Sequence, residues 1–276
     1  MKMGTTEIHE EGVRTLRVPS PPGSHMKNVL VTLVGEGPYI LIDTGYPESV
    51  DEVVAWVREE TGGSLDALLL THHHHDHLGG AEGVVAATGA ATWAHPVEIE
   101  LMKERAPALA PAPLDDGEIV RLGEIELKVV LTPGHSPGHL SFWWQEKKIL
   151  FGGDNVLMET STWVGPPRGS LREYLASLEV ERALAPRVIY PGHGSPIKDP
   201  EGRIEGLVRH RARREGQVLD ALATGVDTPE EMAASIYKGL GEKTMKIGAA
   251  MLAGHLEKLI EEGRARREGE RYLLVE

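Results

Sequence analysis

An α/β fold with a small helical domain after it is what this sequence predicts, on three observations. Apolar runs of strand length alternate with stretches of helical periodicity as far as residue 198. Four of those runs end in histidine or aspartate beside glycine, at 71–80, 133–139, 152–154 and 191–194. Beyond residue 199 the strands give way to three helical stretches and a short arginine-rich hairpin. The predicted division is therefore 1–198 and 199–276, in keeping with a chain of 276 residues, longer than one average domain.

Composition narrows the function classes. Apolar residues make up 41% of the chain, enough for a sizeable core. No apolar stretch approaches the ~18 residues of a membrane span, and the N-terminal region lacks the apolar segment of a secretory signal. No membrane partner is expected, and the expected location is cytoplasmic. The absence of cysteine excludes disulfides and thiolate metal sites. Asparagine and glutamine occur only at Asn28, Asn155, Gln145 and Gln217, a scarcity that points to a heat-adapted source. A net charge of −13 argues against a protein that coats itself with nucleic acid. The charge is uneven, with 16 basic and 27 acidic residues in 1–198 but 13 and 15 in 199–276.

The elements follow in order. Strands are predicted at 13–18 and 28–34, the second followed by a Gly35-Glu36-Gly37-Pro38 turn and a strand at 39–42. Gly23-Ser24-His25-Met26 resembles a cloning remnant, but strand-like sequence precedes it, so it reads as native and His25 as a loop histidine. Val50, Val53, Val54 and Val57 have helical spacing within 47–60, and Thr61-Gly62-Gly63 stops that helix. A strand then ends at 68–70. A small-residue helix at 81–88, a strand at 91–94 capped by His95, a helix at 96–105 and a loop at 107–113 complete the first half. The second half offers strands at 118–122, 125–131, 140–145 and 148–151, a helix at 170–184 and a strand at 187–190.

The stretch Leu68-Leu69-Leu70-Thr71-His72-His73-His74-His75-Asp76-His77 carries the chemistry. Imidazole and carboxylate suit zinc, iron and manganese. In extended backbone, side chains two apart share a face, so His72, His74 and Asp76 converge, and a turn after Asp76 brings in His77. His73 and His75 fall on the opposite face and are left out of the ligand set. Gly79 and Gly80 permit the turn and open a helix whose N-terminal dipole faces the site. A purification tag would share the histidines, but tags sit at termini.

The segment Thr71-His72-His73-His74-His75-Asp76-His77 resembles the signature of the metallo-β-lactamase superfamily. Pro133-Gly134-His135-Ser136-Pro137-Gly138-His139, Gly152-Gly153-Asp154 and Pro191-Gly192-His193-Gly194 resemble its remaining motifs in order and spacing. The resemblance implies an αββα metallo-β-lactamase sandwich with its site in a cleft between the two sheets. It implies two divalent metal ions, zinc being the expected one. His72, His74 and His135 match one position, Asp76, His77 and His193 the other, and Asp154 bridges both. It also implies a hydroxide shared by the metals as nucleophile, with Asp76 and Asp154 as the catalytic carboxylates. Asp43 matches a residue behind the ligands that orients a histidine; a turn-making aspartate before glycine is the alternative. His139 is implied to stand behind the metal or to face substrate, with a hydrogen-bonded core histidine as the alternative.

Asp154 and His193 are 39 positions apart, which leaves no room for the cap domain of the long lactamase-like nucleases. The missing export signal and the place of Asp76 in the ligand set argue against antibiotic hydrolysis. The tail is predicted to form helices at 203–223, 228–237 and 246–262 and a terminal hairpin, a winged-helix-like arrangement. Thr228-Pro229-Glu230-Glu231 is a helix start and Gly263 a helix stop. With Tyr174-Leu175-Ala176-Ser177-Leu178 and His210-Arg211-x-x-Arg214-Glu215, the chain resembles the lactamase-like endoribonucleases of mitochondria and their bacterial relatives. Arg211, Arg213 and Arg214, together with Arg264, Arg266 and Arg267, are the expected phosphate contacts. Acids interleave both clusters, so an ion-paired surface, a cleft wall or a homo-oligomer contact is the alternative. The expected function is a metal-dependent hydrolase of single-stranded RNA. A glyoxalase II-like hydrolase of small esters or thioesters is the alternative, and a non-catalytic winged-helix binding protein a distant one.

Overall fold

Side-chain alternation on one strand shows how the layers form. In β9 (Ile125–Leu131), Ile125, Leu127 and Val129 turn into the core while Glu126 and Lys128 face water. The structure, a computed structural model, describes residues 4–10 and 12–275.

The first sheet runs in chain order through β1 (Thr5–Glu10), β2 (Val13–Pro19), β3 (Asn28–Val34), β4 (Ile40–Ile42), β5 (Ala67–Leu69), β6 (Ala91–Ala94) and β7 (Ala112–Pro113). Its first four strands pair antiparallel and the rest parallel. The switch is forced by connection: α1 (Val50–Thr61) and α3 (Ala81–Thr88) cross over between parallel neighbours, which a tight turn cannot do. The second sheet has the order β12-β11-β10-β9-β8, built from β8 (Ile119–Leu122), β9, β10 (Leu140–Trp144), β11 (Ile149–Gly153) and β12 (Val188–Pro191). Here α5 (Leu171–Ala183) makes the crossover that leaves β12 parallel to β11.

Val34, Ile40, Ile42 and Leu69 of the first sheet interdigitate with Leu127, Phe142, Phe151 and Tyr190 of the second, so the main core lies between the sheets. Helices α1 and α3 cover the outer face of the first sheet through Val53, Trp56, Val57 and Val84. On the outer face of the second, Tyr174 and Leu178 of α5 pack with Ile204 and Leu207 of α6 (Pro200–Ala223). The result is an αββα sandwich. Central strands read as nearly continuous apolar runs because both faces are buried.

Between β5 and β6 lie the four-residue α2 (His75–Leu78) and α3, and α4 (Pro96–Met102) follows β6. The tail continues with α7 (Pro229–Ile236), α8 (Glu242–Glu261) and the hairpin of β13 (Ala265–Glu268) and β14 (Arg271–Leu274). Val218 and Leu222 of α6 join Met232, Leu252, Leu256 and Tyr272 in its core. Among the described residues, no helix is long and apolar enough to cross a membrane.

Several element ends differ from expectation for local reasons. Helix α6 starts at Pro200 because Asp199 accepts from Gly202 N and Pro200 occupies the first turn, where it needs no N–H donor. His95 does more than close β6: its ring accepts from Val97 N and caps α4. Strand β1 was not expected, since Thr5-Thr6-Glu7-Ile8-His9-Glu10 carries no alternating apolar face. It is an edge strand that needs one partner, β2.

Candidate metal centre

Four strand ends deliver the site. His72 follows β5, His135 follows β9, Asp154 follows β11 and His193 follows β12, all at the same edge of the sandwich. Two backbone features allow the approach. A Cβ on Gly192 would lie 2.4 Å from Asp154 Oδ1 and 2.6 Å from His77 Cε1, so only glycine fits there. Gly134 has φ +133 and its Cβ would strike the Tyr174 backbone at 2.4 Å.

Their donor atoms converge. His72 Nε2 and His135 Nε2 lie 3.0 and 2.9 Å from His74 Nδ1. His77 Nε2 lies 3.3 Å from His193 Nε2 and 3.4 Å from Asp154 Oδ1. Asp154 Oδ2 is 3.6 Å from His135 Nε2 and 3.3 Å from His193 Nε2, and Asp76 Oδ2 is 3.4 Å from His193 Nε2. Within each of three overlapping groups the donor atoms lie within 4.8 Å of one another: His72, His74 and His135; Asp76, His77 and His193; and His72, His77 and Asp154.

The opposite ring nitrogens decide which lone pairs face inward. His135 Nδ1 donates to the Trp163 carbonyl at 2.7 Å and His193 Nδ1 to the Asn28 carbonyl at 2.5 Å. His77 Nδ1 donates to Asp43 Oδ2 at 2.7 Å. Thr71 spends its hydroxyl proton on Asp43 Oδ2, so its oxygen accepts from His72 Nδ1 at 2.9 Å. In its neutral form each of these four rings therefore turns a bare Nε2 toward the centre. Lone pairs and two carboxylates at such separations repel unless a cation lies among them, and Asp154 Oδ1 has no hydrogen-bond partner among the described residues. The donor set fits a divalent metal site.

Without the metal, protons divide unevenly. Burial and the neighbouring His77 and His74 hold His72 well below the ordinary histidine range, and burial with His135 lowers His74 to about 2. For His193, burial opposes protonation, but Asp154 and Asp76 together outweigh it and raise the ring to about 9; His77 rises because Asp154, Asp43 and Asp76 together overcome its burial.

The residues behind the centre have definite partners. Asp43 is buried with φ 58, and besides His77 it takes Thr71 N at 2.9 Å. Its turn conformation and its hold on the histidine are one arrangement. His139 is fully buried: its Nε2 accepts from Asp154 N at 3.0 Å and its Nδ1 meets Thr132 Oγ1 at 2.8 Å. It braces the Asp154 backbone, and being buried it does not face substrate.

One functional residue was missed. Glu98 of α4 is fully buried and accepts from His73 N, His73 Nδ1, Ser136 Oγ and Gly138 N, joining the loops of His72–His74 and His135. Burial alone would raise this carboxyl, but the His73 and Ser136 hydrogen bonds bring it to about 2. The signal was present in the four-residue spacing from Glu98 to Met102, which puts the acid on the helix's buried face. His75, by contrast, is exposed beside Tyr46.

Of the six tail arginines expected at phosphates, Arg211 is corrected. It is 2% exposed, donates to the Thr162 carbonyl and lies 5.2 Å from the Tyr174 ring centre, where no phosphate can reach it. Residue 211 lies on the α6 face packed against the sandwich. Arg264 pairs with Glu215 and Glu262, and Arg266 with Glu268. Arg214 stacks on Tyr237 and Arg267 on Tyr272, while Arg213 is exposed.

Histidines and carboxylates gathered at the strand ends of an αββα sandwich define a metal-binding hydrolase. Residues 27–193 match the metallo-beta-lactamase superfamily model and residues 228–272 the beta-lactamase associated winged helix domain, so this chain belongs to the metallo-β-lactamase superfamily. Beta-lactamase-like protein 2 homolog of Drosophila melanogaster is 32% identical over 265 residues, 90% of this chain and 87% of the relative. Atrochrysone carboxyl ACP thioesterase dmxR1 of a Cryptosporiopsis species is 30% identical over 87% of this chain and 72% of its own. Lactamase-like protein nscB of Aspergillus fumigatus is 34% identical over 206 residues, which span 74% of this chain but only 59% of that protein. The crystal structure of a metallo-beta-lactamase family protein from Thermus thermophilus superposes with a TM-score of 0.79 at 30% identity, over 96% of this chain and 99% of that one.

Proposed function

We propose that this chain is a hydrolase that holds two divalent metal ions, zinc in the native protein, and cleaves acyl thioesters in the cytoplasm. The observation that carries the two-metal reading is the position of Asp154, whose Oδ1 and Oδ2 reach toward His77, His135 and His193 together. Two cations held by the seven residues would lower the pKa of a shared water toward neutrality and polarise the substrate carbonyl.

The chain's own groups supply the rest. Asp43, Thr71, Asn28 and Trp163 keep the ligand rings in one tautomer. Asp76, whose side chain is 15% exposed, is the ligand carboxylate open to the cleft and would orient the attacking water. Ser136, the hydroxyl beside His135, is fully buried and committed to Glu98, so it is no nucleophile. Thioester cleavage releases a thiol whose ordinary pKa is about 8.5, a far easier leaving group than an alkoxide.

Thioesters are favoured over single-stranded RNA on two grounds. The relative of 30% identity over most of the chain is named a carrier-protein thioesterase. The tail offers phosphates less than its sequence suggested, since Arg211 is buried and Arg264 and Arg266 are neutralised by acids. The winged helix at 228–272 and the exposed Arg213 of α6 are what the RNA reading retains. The test is direct: zinc-loaded protein is assayed on an acyl-pantetheine thioester and on a single-stranded oligoribonucleotide. Turnover of the thioester alone is expected; cleavage of RNA with the thioester untouched overturns the proposal.

A further inference from the structure

Arg211 poses a physical problem, because taking a guanidinium out of water is costly unless it is well paired. Among the described residues it meets the Tyr174 ring and hydroxyl and makes no ion pair with a carboxylate. What it does hold is the carbonyl of Thr162. The next carbonyl along the chain, that of Trp163, receives His135 Nδ1 at 2.7 Å. The Thr162 hydroxyl meanwhile donates to the Asp154 and Asn155 carbonyls at 2.8 and 3.0 Å.

A second arginine on the same helix grips the same loop. Arg203 Nε donates to the Leu157 carbonyl at 2.6 Å and its terminal guanidinium nitrogen to the Thr160 carbonyl at 2.5 Å. Arg203 and Arg211 are eight residues apart, about two helical turns, and so share a face of α6. Helix α8 presses from the other side: a Cβ on Gly165 would lie 2.7 Å from the Ala250 carbonyl, and one on Gly254 would lie 2.9 Å from the Val164 carbonyl. The loop from Leu157 to Gly165 is thus clamped between the two tail helices and the metal centre.

We propose that Arg211, assisted by Arg203, is a positioning residue for the metal centre: it fixes the Thr162–Trp163 backbone that orients His135. The tail thereby serves the hydrolytic site directly, whatever else it binds. The proposal rests on the reading of His135 as a ligand.

The test compares wild type with Arg211→Met, Arg203→Met and a control, Met232→Ala, which removes a fully buried side chain from the tail core without touching the loop. Two readouts are taken below every variant's melting temperature: cobalt affinity with its visible spectrum, and the His135 tautomer in metal-free protein from ring 15N shifts. Arg211→Met is expected to weaken cobalt binding about 10- to 100-fold, to change the spectrum, and to lower kcat more than it changes KM. His135 should no longer be protonated only at Nδ1. Arg203→Met should act in the same direction more weakly, and it carries the test if Arg211→Met does not fold. The control should lose thermal stability while keeping wild-type cobalt affinity and tautomer. Wild-type cobalt binding and tautomer in folded Arg211→Met overturn the proposal, as does an equal effect from Met232→Ala. Should wild type itself bind no cobalt, the metal reading fails, and the tautomer comparison still decides whether Arg211 positions His135.

Discussion

Glu98 Oε2 sits 2.6 Å from His73 Nδ1 and 2.8 Å from His73 N, so one buried carboxylate fixes the residue that separates His72 from His74. Because Ser136 and Gly138 also donate to Glu98, Glu98→Ala leaves several buried donors unpaired. A loss of about 2–4 kcal/mol in denaturant unfolding is expected. Metal affinity should fall about 10- to 100-fold, because the loops on both sides of the site relax. Unchanged metal titration would show that the two loops hold themselves.

Two buried acids bend the pH dependence of stability in opposite directions. Burial raises Glu181 to about 7, only partly offset by the hydrogen bond from Ser141. The folded state therefore binds this proton more tightly than the unfolded one, and stability falls as pH rises from about 4.5 through 7. Glu98, lowered to about 2, stabilises above its ordinary range and loses that contribution as pH falls toward 2. Glu181→Gln should flatten the decline between pH 5 and 7, worth at most about 3 kcal/mol. A variant that tracks wild type across that range would place the proton elsewhere.

Gly192→Ala and Gly206→Ala form an informative pair. The first introduces a Cβ 2.4 Å from Asp154 Oδ1, while the second, inside α6, meets nothing within 4 Å. Gly192→Ala should cut kcat by about 100-fold through displacement of the carboxylate. Gly206→Ala should leave activity alone and raise stability by about 0.5–1 kcal/mol. Equal activity in both proteins would contradict the close approach at Gly192.

Chelation should abolish hydrolysis, and divalent metal should restore it. Elemental analysis of zinc-supplied protein should give two ions per chain, Asp154→Ala reducing both and His135→Ala mainly one. Wild-type protein saturated by a single ion would remove the dinuclear reading.

Much of this was legible in the sequence because the site follows strand ends. The alternation at 125–131 fixed β9 residue for residue, and the run before His72 located β5 to within a residue or two. Asp43 and His139 were picked out, but not their partners, since contacts such as His77 with Asp43 join residues 34 apart. Glu98 escaped because a charged residue on a short helix reads as solvated until its burial is seen. Arg211 misled for the converse reason: basic clustering along the chain does not tell which face of α6 is covered. Strand β1 has no apolar pattern, and only pairing with β2 defines it.

Helix α6 is 24 residues long, about 36 Å, and its two halves belong to different cores: Ile204 and Leu207 to the sandwich, Val218 and Leu222 to the tail. Cooperativity follows from that shared ownership. Complete unfolding of the winged helix would release the C-terminal half of α6, and unwinding that passes Arg211 would reach the loop behind His135. Heat should therefore melt both regions in one transition, and the winged helix could not be exchanged for another module by cutting at residue 198 or 199.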